Sequence, residues 1–306
     1  MSSVVGMALQ LGGVIAAPGL PGLVQVGKAR LQGRRGASAL QPYRDLRRLW
    51  GKSVVAPEGS GPLYRAAPAL VAACLLLAIA LVPVGGRAGG WGIGHDALVL
   101  VGLLALARFT LAVSAWDPGD GFTLMGAARD LMIAVFGESL LVLALLIAAL
   151  PTHSTDLVAM VTGAGGSAVW REAAHWCGAL AFALVVLVET GRQPVDNPDT
   201  HLELTMIHEG PLLEYAGRDL AYLHWAAAAR HWVMLTLAAG LFLPHPRGFA
   251  GALGALALAI VVQCGALAAI ETAQAKMRIL RVPSMLAVGW VVALVGVGVA
   301  VGGGTG

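Results

Sequence analysis

The stretch that decides the fold is Glu189-Thr190-Gly191-Arg192-Gln193-Pro194-Val195-Asp196-Asn197-Pro198-Asp199-Thr200-His201-Leu202-Glu203-Leu204-Thr205-Met206-Ile207-His208-Glu209-Gly210-Pro211-Leu212-Leu213-Glu214-Tyr215-Ala216-Gly217. Extended to Asp219, it holds seven of the chain's 17 acidic residues and two of its eight histidines. Apolar runs flank it on both sides. A polar segment set between runs of about 20 apolar residues reads as a loop joining membrane helices.

Outward from this segment the composition agrees. Of 306 residues, 58% are hydrophobic and only 12% charged. Soluble domains carry roughly 25% charge, so most of this surface must face lipid. The apolar runs are continuous rather than alternating, which points to helices and away from a β-barrel. The 41 glycines suit close helix packing in a bilayer. The expectation is an all-α, polytopic membrane protein forming one integral domain over 1–306.

Met1–Gly27 carries no charged side chain and reads as a first, uncleaved helix interrupted near Pro18 and Pro21. A basic connection, 28–65, follows with nine Lys/Arg. Within it Leu40, Tyr43, Leu46, Leu49 and Trp50 share a helical face opposite Arg44 and Arg48, the pattern of an interfacial helix over anionic lipid. Seven further apolar spans lie near 66–86, 97–115, 129–150, 171–190, 219–243, 248–270 and 282–301. Together they predict about eight crossings. The odd-numbered connections hold 15 Lys/Arg and the even-numbered ones three. This imbalance places both termini outside and the 189–219 loop in the cytoplasm.

Ionisable groups within apolar spans are costly and therefore informative. Arg108 lies in the third span. Arg129 and Asp130 open the fourth, with Glu138 about two turns deeper. Glu189 closes the fifth, Arg230 and His231 lie in the sixth, and Glu271 closes the seventh. Each alone is either a fixed ion pair or a proton carrier. Glu138, Glu189 and Glu271 together read as a relay, because carboxylates change protonation in a low-dielectric site.

Other chemistries are not expected. Cys74, Cys177 and Cys264 each stand alone in apolar runs, without the spacing of a zinc or iron–sulfur site. His201, Glu203, His208 and Glu209 do not form H-E-x-x-H, and histidines seven apart are poorly placed for joint ligation. Gly51-Lys52-Ser53 lacks the upstream glycine of a phosphate loop, since position 46 is Leu. No nucleic-acid partner is expected. On residues alone, channel, transporter and redox-complex subunit stay open.

The loop motif narrows the choice. Glu189-Thr190-Gly191-Arg192-Gln193-Pro194-Val195-Asp196-Asn197-Pro198, with Glu203-Leu204 and Glu214-Tyr215-Ala216-Gly217, resembles a loop of the subunit 1 family of respiratory complex I and its hydrogenase relatives. Asp196–Glu209 is similar to the D-N-P-x-T-H-L-E-L-T-M-I-H-E run of the membrane subunits of formate hydrogenlyase and membrane-bound nickel–iron hydrogenases. Arg34-Arg35-Gly36, Leu40–Asp45, Gly126–Arg129 with Glu138, and Ala275–Pro283 extend the resemblance over most of the chain.

The resemblance implies an eight-helix subunit that binds no cofactor itself. Nickel–iron and iron–sulfur centres would belong to large and small partner subunits, with antiporter-like membrane subunits alongside, in a bacterial or archaeal plasma membrane. Carried over, Glu189, Arg192, Asp196, Asp199 and Glu203 fall on the charged positions of the family's loop and Glu138 on a carboxylate of its fourth helix; with the charges read above, the expected proton-transfer and coupling residues are Glu138, Glu189, Glu203, Glu209, Glu214 and Glu271. Arg129, Arg192, Asp196, Asp199, His201 and His208 are their charge partners. His201 stands where complex I members carry a carboxylate, and about three extra residues precede Glu214. Both features follow the hydrogenase branch, so quinone is an open ligand rather than an expected one.

Overall fold

A computed structural model describes residues 2–166, 169–197, 206–244, 246 and 248–303. The helices are α1 (Ser2–Ala16), α2 (Gly19–Leu31), α3 (Gln41–Trp50), α4 (Pro62–Leu81), α5 (Ala97–Ser114), α6 (Gly121–Ala149), α7 (Leu157–Ala164), α8 (Ala173–Glu189), α9 (Gly217–Phe242), α10 (Phe249–Ala273) and α11 (Val282–Gly303). No β-strand occurs among the described residues. The all-α expectation therefore stands.

Local chemistry sets several helix starts. The carboxylates of Asp96, Asp120 and Asp156 accept from the backbone N–H of Leu98 (2.7 Å), Thr123 (2.8 Å) and Ala159 (2.9 Å), capping α5, α6 and α7. Each such cap stabilises its helix by about 1 kcal/mol. α6 thus begins at Gly121, not near 129, and Arg129 and Asp130 lie two turns inside it. The first apolar run is broken as expected: α1 and α2 meet at a 50° bend beside Pro18, whose ring removes a backbone donor.

Fewer helices than the eight expected are lipid-type spans. Among the described residues five helices, α4, α5, α6, α10 and α11, are long and apolar enough to cross a bilayer, and the bent α1–α2 pair makes up to six. The other two expected spans, α8 and α9, are helices of another character. α8 has only 17 residues, and α9 carries Arg230 and His231. Both bury most of their residues: α9 packs among α2, α3, α4, α8 and α10, and α8 between α6 and α11. Most of their side chains face other helices, so they can hold charge. Apolar side chains such as Leu258, Val261, Val288 and Val291 face outward from α10 and α11.

The helix expected within 28–65 is α3. Its Tyr43 hydroxyl donates to the Ile15 carbonyl (2.6 Å), and Trp50 meets Tyr222 of α9 edge-on. Much of its apolar face therefore rests on protein, while Leu40 and Trp50 stay exposed.

Candidate functional site

The site is assembled where α8 ends. Gly191, at φ +60°, takes the left-handed conformation that closes the helix. The Gly191 N–H donates to the Val188 carbonyl (3.1 Å) and the Arg192 N–H to the Leu187 carbonyl (3.0 Å), the double bond of a Schellman ending. The chain turns back, so Glu189 stays inside the bundle while Arg192 and Asp196 lie over its end. The Met277 N–H then donates to the Pro194 carbonyl (2.8 Å), tying the loop to the segment before α11.

Inside the bundle Arg108 of α5 is the hub. Its guanidinium lies 2.9 Å from Glu189, 3.0 Å from Glu138 and 3.5 Å from Asp130. Arg230 of α9 holds the other Glu189 oxygen at 2.8 Å. Two guanidiniums thus face three carboxylates contributed by α6 and α8. The side chain of Glu189 is 1% exposed and that of Arg108 3%, so each ion is stable only through its partners.

The remaining negative charge faces the loop. His208 Nε2 is 3.6 Å from Asp130, and its Nδ1 is 3.3 Å from Asp196. Asp196 also accepts from the Lys276 ammonium (2.7 Å) and from the backbone N–H of Asn197 (2.8 Å) and His208 (3.1 Å). Burial opposes a charged Asp196, but the His208 hydrogen bond and Lys276 outweigh it and hold the carboxyl well below the usual carboxylate range. Burial likewise opposes a charged His208, yet its bond to Asp196 and the field of Asp130 raise its pKa above the ordinary value. A separate group lies at Glu271, which pairs with Arg192 (3.0 Å) and Lys28 (3.4 Å).

Two contacts fasten the returning loop. Gly210 lies against Gly126 of α6 so closely that a Cβ on either would fall 2.6 Å from the other's Cα. Tyr215 stacks on Tyr64 at 4.3 Å, and its hydroxyl meets the Ser114 hydroxyl (2.9 Å) and the Tyr64 carbonyl (3.1 Å). Burial pushes the Tyr215 hydroxyl up to about 12.

Of the residues named from sequence, the structure brings together Glu138, Glu189, Asp196 and His208, and pairs Arg192 with Glu271. Arg129 turns to the Met206 carbonyl (3.4 Å) and Met125 sulfur and meets no carboxylate within 4 Å among the described residues. Glu209 is half-buried, its carbonyl opening the short turn Gly210–Leu212. Glu214 is half-buried, its carbonyl accepting from the Tyr64 hydroxyl. Asp199, His201 and Glu203 lie outside the described residues. Sequence reasoning noted Arg108, Asp130 and Arg230 as charges in spans without assigning them to the site. It counted Lys28 and Lys276 as orientation signals, and Lys276 also within the Ala275–Pro283 resemblance, and assigned neither to the site. Among the described residues no group of three His, Cys, Asp or Glu side chains could hold a metal ion.

Comparison with known proteins places this geometry in a family. The NADH dehydrogenase family model matches residues 7–301. The chain is 34% identical to formate hydrogenlyase subunit 4 of Escherichia coli K12 over 258 residues, covering 80% of this chain and 79% of that one. It is 35% identical to hydrogenase-4 component C of the same organism over 239 residues, covering 77% and 73%. NADH-ubiquinone oxidoreductase chain 1 of Ateles paniscus is 27% identical over 212 residues, covering 69% and 64%. A chain in the structure of the membrane-bound sulfane sulfur reductase, an archaeal respiratory membrane complex, superimposes with a TM-score of 0.81 at 18% identity, covering 98% and 99%, which shows the shared fold. The chain belongs to the NADH dehydrogenase family, among the membrane subunits of hydrogenase, formate hydrogenlyase and complex I-like oxidoreductases.

Proposed function

We propose that this chain is the membrane subunit of a hydrogenase-type oxidoreductase complex, in which the 189–219 loop docks a soluble redox module and passes its charge changes to buried carboxylates. The observation that carries this reading is the connected set of ions from Lys276 and Asp196, through His208, to Asp130, Arg108, Glu138, Glu189 and Arg230. A change of charge or position at the loop alters the field at Asp130 and, through Arg108, at the two glutamates. Such a field change moves a proton on or off a carboxylate in a low-dielectric site. Identity of 34% and 35% to the hydrogenase relatives, against 27% to the complex I one, favours hydrogen chemistry in the partners over quinone reduction at this loop. Nickel–iron and iron–sulfur centres would then sit in docked large and small subunits, beside antiporter-like membrane subunits, with the loop on the cytoplasmic face of the plasma membrane.

The test uses the intact complex in sealed vesicles. Glu138→Gln and Glu189→Gln should assemble with the soluble module, yet lose proton translocation and coupled hydrogen turnover. Full retention of both activities by both assembled variants rejects the relay and leaves a passive anchor.

A further inference from the structure

The structure assigns His208 one specific role, that of the proton-transfer link between the loop carboxylate Asp196 and the membrane carboxylate Asp130. This rests on the relay reading above and names the step by which the loop reaches the interior.

The geometry is directional. The imidazole lies between two carboxylates, with one ring nitrogen toward each: Nδ1 at 3.3 Å from Asp196 Oδ2 and Nε2 at 3.6 Å from Asp130 Oδ1. Among the described residues His208 Nε2 and Asp130 Oδ1 are both buried atoms without a hydrogen-bond partner. Buried polar atoms are seldom left so, and these two face each other across a gap of 3.6 Å. The gap is just beyond hydrogen-bond length, so a small approach of the loop to α6 closes it. Contact of Gly210 with Gly126 fixes the turn two residues beyond His208 against the same helix. Gly191 leaves the ring its space: a Cβ there would stand 3.1 Å from Cγ and Nδ1.

The groups facing the ring come from every neighbouring element. Asp130 is on α6, with Arg108 of α5 behind it. Glu189 ends α8, Asp196 belongs to the loop, and Lys276 from the segment before α11 backs Asp196. Lys276 and Arg108 offset the charge of the two aspartates, and these in turn favour an imidazolium between them.

The step balances without electron transfer. The neutral imidazole, with its hydrogen on Nε2, accepts a proton at Nδ1 from the Asp196 side. The imidazolium donates its Nε2 proton to Asp130 Oδ1. The ring is left as the Nδ1–H tautomer, one proton having passed from the Asp196 side to Asp130 Oδ1.

The experiment compares His208→Gln and Asp130→Asn with Glu189→Gln in the assembled complex in vesicles. Glutamine keeps a polar link but cannot carry the proton. His208→Gln should cut proton translocation by about 10²-fold, the size of a lost general acid–base group. It should also abolish the ionisation that lies above the ordinary imidazole range in the wild-type rate profile, which loss of a merely structural contact would leave in place. Asp130→Asn should give the same loss, and it decides the matter if His208→Gln does not assemble. Wild-type rates and an unchanged pH profile in an assembled variant, with Glu189→Gln inactive, overturn the His208 assignment alone. Full activity in all three overturns the relay itself.

Discussion

Replacing Arg108 by Gln removes a guanidinium that touches three carboxylates, at 2.9, 3.0 and 3.5 Å, of which Glu189 and Asp130 are buried and Glu138 is half-buried. Arg230 remains on Glu189, so Asp130 and Glu138 lose their guanidinium. Breaking a buried ion pair from one side typically costs about 3–5 kcal/mol. The site limits the damage by binding a proton. At pH 7, protonating a carboxyl whose unfolded pKa is near 4.3 costs about 3–4 kcal/mol, at about 1.36 kcal/mol per pH unit. The two routes agree, so a deficit of about 3–4 kcal/mol at pH 7 is expected. The second route also fixes a pH dependence. A proton taken up only in the folded state makes stability fall as pH rises. The penalty is therefore absent below about pH 4 and grows through neutrality. Unfolding of the purified complex in detergent, wild type against Arg108→Gln from pH 5 to pH 8, measures this. The difference should widen by about 1.36 kcal/mol per pH unit. A deficit that does not change with pH, or one below about 1 kcal/mol, refutes Arg108 as the neutralising hub.

Two further outcomes follow from the loop. Gly210→Ala places a methyl 2.6 Å from the Gly126 Cα, and backbone on backbone cannot yield cheaply; the loop should detach from α6 at a cost of about 1–3 kcal/mol, read as faster proteolysis within the loop. The Asp196–His208 pair should hold that loop within a pH window. Asp196 titrates low when folded, so its contribution is whole above about pH 4 and fails as pH falls further; His208 titrates high, so its contribution is whole below about pH 6.5 and is lost as pH rises through its raised pKa. Protease protection of the loop should thus decline on the alkaline side in the wild type, and His208→Gln should remove that alkaline decline.

The sequence by itself determined what depends on composition and on neighbours along the chain. Continuous apolar runs make helices that must bury their own backbone polar groups in lipid. The absence of charge before Lys28, the proline break near Pro18 and the turn at Gly191 are likewise local. So is the polar loop from Glu189, whose residue pattern pointed to the family. What the tertiary structure decided is which charges meet. Arg108 and Glu189 are 81 residues apart in sequence, Arg192 and Glu271 79, and Lys276 and Asp196 80. Lys28 and Lys276, counted in the sequence as markers of orientation, each pair with a carboxylate. Arg129 turned away from the cluster while its neighbour Asp130 faced into it, because adjacent residues on a helix point about 100° apart. A buried charge is stable only beside its partner, and that partner is chosen by helix packing rather than by the local sequence.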